Sequence, residues 1–217
     1  AFTGEGGVGK SSMINSMRGL KEDDERAAPT STGVIGTTTP ASYPLSQEAS
    51  YVKFWDLPGG GVSGYPFATY YEDRCLDLFD AVLLFDTERP HELTLNVLQK
   101  AKRDGILDRF VAVYTKTDQS VAAILRKFKD HNKSSALRFL KDIVTEDWRA
   151  ELQGVLGDDA SKVSLYFTSA WELMDNNAPV YDEGALFHFM IRAAGKRFPS
   201  GEMEKFYIDK FGGVKGN

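Results

Sequence analysis

The sequence predicts an α/β fold, a mostly parallel six-stranded sheet with helices on both faces and a helical insertion before the last strand. Three observations predict it. Strand-forming apolar runs alternate with stretches of helical periodicity. Residues 80–86 and 109–114 are nearly continuous in apolar residues, as strands covered on both faces must be. The polar clusters fall at the carboxyl ends of strands, where open α/β sheets bind ligands.

Taken in order, Ala1-Phe2-Thr3 is the end of a strand, shorter than the run that ordinarily leads into such a loop, so the chain reads as clipped at its start. A helix follows from Lys10 to about Arg18, with Met13, Ile14, Met17 and Leu20 on one face, and it breaks near Gly19. Residues 21–26 are a charge run, read as a solvated loop, and residues 29–44 are rich in Ser, Thr, Gly and Pro, read as a long loop with a short edge strand near 41–45. Residues 51–56 form a strand that stops at Pro58, and Gly59-Gly60-Gly61 form a hinge before a helical pattern over 67–79. The run 80–86 is a buried strand, Glu92–Arg103 a helix, and 109–114 another buried strand. Residues 119–152 are helical in two segments split near His131-Asn132-Lys133, with Leu137, Leu140, Val144, Trp148 and Leu152 forming an apolar stripe. A last strand over 163–168, a helix over 182–197 and a short helix over 202–211 complete the reading. Residues 1–197 are assigned to one domain and 198–217 to a tail that begins a helical region.

Bulk properties narrow the function. Hydrophobic content of 42% and charged content of 26% are those of an ordinary globular chain. A net charge of −5 argues against a general nucleic-acid surface. The lone Cys75 permits neither an intramolecular disulfide nor a cysteine zinc site, and its apolar surroundings predict a buried thiol. No leader-like segment or long apolar run is visible, so the expected compartment is the cytoplasm. His91, His131 and His188 show no metal-ligand spacing, and Trp171 is expected to pack in the core.

The chemistry-bearing motifs begin with Gly4-Glu5-Gly6-Gly7-Val8-Gly9-Lys10-Ser11-Ser12, which satisfies G-x-x-x-x-G-K-[ST], a phosphate-binding loop. Its glycines let successive backbone N–H groups face an anion. Lys10 offers a point charge for the β- and γ-phosphates, Ser11 a hydroxyl for Mg²⁺, and the following helix its positive end. Asp56-Leu57-Pro58-Gly59 has the form D-x-x-G, in which the carboxylate can hold Mg²⁺ and the Gly59 N–H can approach a γ-phosphate. A loop hydroxyl completes the metal shell; Thr38 is the choice, with Thr37 and Thr39 as rivals. Thr115-Lys116-Thr117-Asp118 matches [NT]-K-x-D, where Asp118 can accept two hydrogen bonds from guanine and the Lys116 stem can lie over the base. Ser169 and Ala170 would close the base pocket through backbone N–H groups.

These residues in this order resemble the G domain of P-loop GTPases, and more closely the immunity-related, interferon-inducible GTPases of the dynamin-like group. The similarity is carried by residues 4–15, Arg18-Gly19, Thr32-Gly33-Val34-Ile35, Phe54-Trp55-Asp56-Leu57-Pro58-Gly59 and the helical insertion after Asp118. The resemblance implies GTP as substrate, GDP as product, Mg²⁺ as cofactor, and hydrolysis that quickens when two G domains pair face to face. It implies a role in that activation for Glu5, with Lys10, Thr38 and Gly59 as the other catalytic groups. Action at intracellular membranes is implied for regions outside these residues. Gly60 departs from the water-orienting glutamine that Ras-like GTPases carry there, so fast hydrolysis by a monomer is not expected. Two rival readings are a GTP- or GDP-gated interaction module with negligible turnover, and an adenine-nucleotide kinase or ATPase; Asp118 argues against the second.

Overall fold

A computed structural model describes residues 1–30, 37–60 and 66–195. Six strands form one sheet: β1 (Phe2–Gly4), β2 (Ala41–Pro44), β3 (Lys53–Asp56), β4 (Val82–Asp86), β5 (Phe110–Tyr114) and β6 (Leu165–Phe167). Their order is β2-β3-β1-β4-β5-β6, with β2 antiparallel to β3 and every other pairing parallel. The helices are α1 (Lys10–Arg18), α2 (Tyr70–Asp73), α3 (Glu92–Arg103), α4 (Thr117–Lys127), α5 (Lys133–Leu156), α6 (Ala170–Asn176) and α7 (Glu183–Gly195).

The two central strands show why both faces are covered. Along β4, Leu83 and Phe85 point into one core while Val82 and Leu84 point into the other; along β5, Val111 and Val113 alternate with Phe110 and Ala112 in the same way. Side chains alternate across a strand, so a continuous apolar run can only feed two cores. The first core is closed by Met13, Ile14 and Met17 of α1 and by Leu186, Phe187 and Met190 of α7. The second is closed by Leu93, Val97 and Leu98 of α3 and by Trp148, Leu152 and Leu156 of α5. The stripe expected on α5 is therefore core, and the Trp148 indole N–H also donates to the Glu88 carbonyl at 2.9 Å.

Helix boundaries follow local chemistry. Gly19 takes φ 67° and receives the end of α1, the left-handed turn that glycine adopts without a Cβ penalty. Asn132 starts α5 with a reciprocal cap, its side chain accepting from the Ser135 N–H and the Ser135 hydroxyl accepting from the Asn132 N–H.

Three expectations are corrected. The pattern over 67–79 is not one helix: α2 is a single turn, Cys75 then adopts φ 48°, and a 3₁₀ turn follows at Leu76–Leu78. That break turns Cys75 outward, so the thiol is exposed. Trp171 is 60% exposed, because Leu173 takes the inward position of α6. The expected helix over 202–211, the tail 198–217 and the Thr32–Ile35 stretch lie outside the described residues.

Candidate nucleotide site

The loop between β1 and α1 begins with a close approach. Gly4 adopts φ 143°, and a Cβ on it would stand 2.3 Å from the Phe85 carbonyl oxygen, so β1 can lie against β4 only with glycine there. Gly7 and Gly9 take φ 76° and 96°, and Gly9 caps α1 without a side-chain hydrogen bond.

Behind the loop, its carbonyls are tied back one by one. The Lys10 ammonium donates to the carbonyls of Gly4 at 3.3 Å and Glu5 at 2.8 Å. Lys116 Nζ donates to the Gly7 carbonyl at 3.0 Å, and the buried Thr115 hydroxyl to the Val8 carbonyl at 2.7 Å. The Gly9 carbonyl accepts the Met13 N–H inside α1. A loop whose carbonyls are so committed offers its N–H edge to an anion instead. Lys10 is buried, and desolvation brings its ammonium down to about 8, opposed by the charges of Asp56 and Glu5. A desolvated cation gains from an added anion, while the neighbouring carboxylates already offset part of its charge. Ser12 lies half-buried in the first turn of α1, its carbonyl accepting the Ser16 hydroxyl.

Asp56, at the end of β3, is 1% exposed. Its Oδ2 accepts the Ser11 hydroxyl at 2.5 Å and the Thr37 hydroxyl at 3.1 Å, while its Oδ1 is buried without a hydrogen-bond partner. Burial pushes the carboxyl up, opposed by Ser11 and Lys10. The residue of the loop that meets this pair is thus Thr37 rather than Thr38, whose side chain is exposed. Sequence left Thr37 open as a rival, since adjacent threonines are equivalent until the backbone direction is known. Gly59 presses against the loop: a Cβ on it would lie 2.7 Å from the Gly6 nitrogen. Gly60 pairs with Glu5 in an isolated parallel bridge.

At the other end of the site, Lys116 holds φ 55° and Asp118 lies half-buried in the first turn of α4. Ser169 differs from expectation. Its N–H donates to Glu183 Oε1 at 2.8 Å, so this N–H belongs to the scaffold, while its hydroxyl caps α6. Ala170 follows half-buried, its carbonyl accepting the Ser16 hydroxyl at 2.7 Å and tying α6 to α1.

Comparison with known proteins agrees with this arrangement. The family model for the interferon-inducible GTPases matches residues 1–155. The chain belongs to the interferon-inducible GTPase family. It is 34% identical over 125 residues to mouse immunity-related GTPase family M protein 3, covering 56% of this chain and 28% of that protein. It is 34% identical over 150 residues to rat interferon-inducible GTPase 5, covering 68% and 31%. Against the bovine interferon-inducible GTPase 5 the identity is 38% over 122 residues, covering 56% and 25%. The matched stretch thus spans about three-tenths of these relatives' length. Among solved structures, Arabidopsis thaliana Toc33 in complex with Mg²⁺ and GMPPNP shares the fold, with a TM-score of 0.51 and 19% identity over 78% of this chain and 69% of that one.

Within this interferon-inducible GTPase domain, sequence reasoning passed over several groups that shape the site. Glu183 is 2% exposed, and its carboxylate also accepts the N–H groups of Val180 and Tyr181, so one buried acid holds the loops on both sides of α6. Burial raises its carboxyl and these backbone donors oppose the rise. The Tyr181 hydroxyl, buried without a hydrogen-bond partner, is pushed up to about 12 by burial and by the charges of Glu172, Asp118 and Glu183. Asp86 ends β4 under the loop; an acid closing an apolar strand at the ligand-binding edge was the available signal.

Proposed function

We propose that this chain binds GTP with Mg²⁺ and hydrolyses it slowly alone and faster when a second copy pairs across the nucleotide. The observation that carries the reading is the tied-back loop: the carbonyls of Gly4, Glu5, Gly7, Val8 and Gly9 accept from Lys10, Lys116, Thr115 and the Met13 N–H, which leaves the loop's N–H edge and one buried ammonium for phosphate.

The residues fit a hard divalent cation. The unpartnered buried Asp56 Oδ1 and the hydroxyls of Ser11 and Thr37 are oxygen donors of the kind Mg²⁺ takes, with phosphate oxygens supplying the rest. When bound, Mg²⁺ would neutralise charge on the β- and γ-phosphates. Ser11 and Thr37 are the hydroxyl ligands in this reading, with Asp56 behind them. Lys10 draws charge from the γ-phosphate as the bond to it loosens, and the Gly59 N–H holds one of its oxygens. Asp118 accepts from the guanine N1–H and amino group, and Lys116 covers the base. Attack is by water, and Glu5, 32% exposed on the open side of the loop, orients it or a group of the partner copy. Catalysis is then positioning plus electrostatics.

A nucleotide-gated module with negligible turnover is the second reading, favoured by Gly60. A Cβ there would meet Leu93 at 2.8 Å, which excludes a water-orienting side chain without repacking. GTP turnover per molecule, followed over about a hundredfold range of protein concentration, separates the two. A rate that rises with concentration, falls in Glu5→Ala and is absent with ATP supports the proposal. A flat, negligible rate with tight GDP binding overturns the pairing mechanism and leaves the switch.

A further inference from the structure

Three side chains form a line from the sheet interior to the phosphate loop. Asp86 at the end of β4 has a fully buried side chain; its Oδ2 accepts the Thr94 hydroxyl at 2.7 Å, and its Oδ1 has no hydrogen-bond partner. Burial pushes this carboxyl up to about 6, opposed by Thr94 and His91. His91 is the residue that starts α3, yet its side chain makes no capping bond. Its ring stands between two acids instead, with Nδ1 3.1 Å from Glu5 Oε1 and Nε2 4.0 Å from Asp86 Oδ1.

Glu5 needs such a contact. It has several rotatable side-chain bonds and projects from a loop whose next residues, Gly6 and Gly7, are exposed. A long carboxylate in that setting samples many rotamers and loses entropy when one is selected. Two charged groups lie close to Glu5: Lys10, which is itself occupied with the Gly4 and Glu5 carbonyls, and the like-charged Asp86 carboxylate, which can only repel it. A ring carried at the start of α3, whose inner face is buried, can select the rotamer in advance.

We propose that His91 is a positioning residue for Glu5, its ring lying between the loop carboxylate and the buried Asp86 carboxyl, and that this contact sets where the Glu5 carboxylate stands. The inference rests on the reading of Glu5 given under Proposed function. His91 touches neither substrate nor water in this scheme; it acts through Glu5. Nδ1 faces the Glu5 carboxylate at 3.1 Å, and the buried Asp86 Oδ1 stands on the far side of the ring, 4.0 Å from Nε2 and beyond hydrogen-bond distance.

The test combines Glu5→Ala, His91→Ala, His91→Asn and the Glu5→Ala/His91→Ala double variant. His91→Asn keeps an N–H near the place of Nδ1. GTP turnover is measured at saturating nucleotide, with affinity taken from a fluorescent GTP analogue. His91→Ala should lower turnover by about fivefold or more while affinity changes by less than about twofold, and His91→Asn should restore most of the loss. His91→Ala should add nothing in the Glu5→Ala background. A wild-type rate in His91→Ala, or an equal further loss in the Glu5→Ala background, overturns the relay and leaves the Glu5 reading standing. A wild-type rate in Glu5→Ala overturns both. The ring ¹⁵N resonances of His91 read the contact without turnover: they should move in Glu5→Ala, and unchanged resonances overturn the proposal.

Discussion

Thr115→Val removes one hydroxyl from the site and keeps the shape of the side chain. That hydroxyl donates to the Val8 carbonyl at 2.7 Å, and the two residues are 3% and 5% exposed. Both residue types are β-branched and suit the end of β5, so the substitution changes neither strand preference nor volume appreciably. What changes is that a buried carbonyl loses its donor, at a cost of about 1–3 kcal/mol. For a domain of this size each kcal/mol moves Tm by about 2–4 °C, so the nucleotide-free protein should melt roughly 2–12 °C lower. The same bond joins the end of β5 to the phosphate loop and, on the proposed reading, keeps the Val8 carbonyl turned away from the anion. GDP affinity should therefore fall as well, by about tenfold for each 1.4 kcal/mol of loop distortion. Thr115→Ser, which loses a methyl and keeps the donor, should hold GDP affinity within about twofold of the parent. Thermal melts without nucleotide and titration with a fluorescent GDP analogue make the comparison. A valine variant with the parent's Tm and GDP affinity would refute the idea that tied-back carbonyls shape the loop.

Two further outcomes are expected. Gly59→Ala places a methyl 2.7 Å from the Gly6 nitrogen and 2.9 Å from the Glu5 carbonyl carbon, backbone atoms that cannot swing aside. It should weaken GTP binding by about tenfold or more, whereas Gly154→Ala, with open space around it in α5, should raise stability by about 0.5–1 kcal/mol; equal effects from the two would count against the steric argument. Burial raises the Asp86 carboxyl from 3.8 to about 6, so its contribution to stability is fully present below pH 4 and is lost as pH rises through about 6. Asp86→Asn, which still accepts from Thr94, should gain on the parent over that window by up to about 3 kcal/mol in urea unfolding; a stability difference that does not vary between pH 4 and 7 would show that burial does not set this group.

Most of the sheet was legible because two simple periodicities carried it. The runs ending at Asp86 and Tyr114 could feed two cores only as central strands, and the α5 stripe fixed which helix face was inward. The stretch over 67–79 misled because its apolar spacing fits a helix, while the backbone reversal at Cys75 comes from packing that no local pattern records. At the candidate site, motif spacing picked out Lys10, Ser11, Asp56 and Lys116, which the fold brings together around one loop. It could not choose among Thr37, Thr38 and Thr39, which differ only in where the loop points them. Glu183 and His91 were illegible for another reason: Ser169 lies 14 residues from Glu183 and Glu5 is remote from His91 in the chain, so only the folded chain brings the partners together.

The three tryptophans stand in three optically distinct settings. Trp148 is 1% exposed and hydrogen-bonded in the second core, Trp55 is 37% exposed on β3, and Trp171 is 60% exposed beside Ala170, at the end of the candidate site where the base is proposed to lie. A rigid apolar cage shifts indole emission toward the blue and shields it from quenchers, whereas a solvated ring emits to the red and is quenched freely. The chain therefore carries its own dyes: Trp148 reports whether the sheet and α5 remain packed, and Trp171 would report on the proposed base site. On that reading, unfolding and nucleotide binding can be followed in one cuvette, without attaching a label.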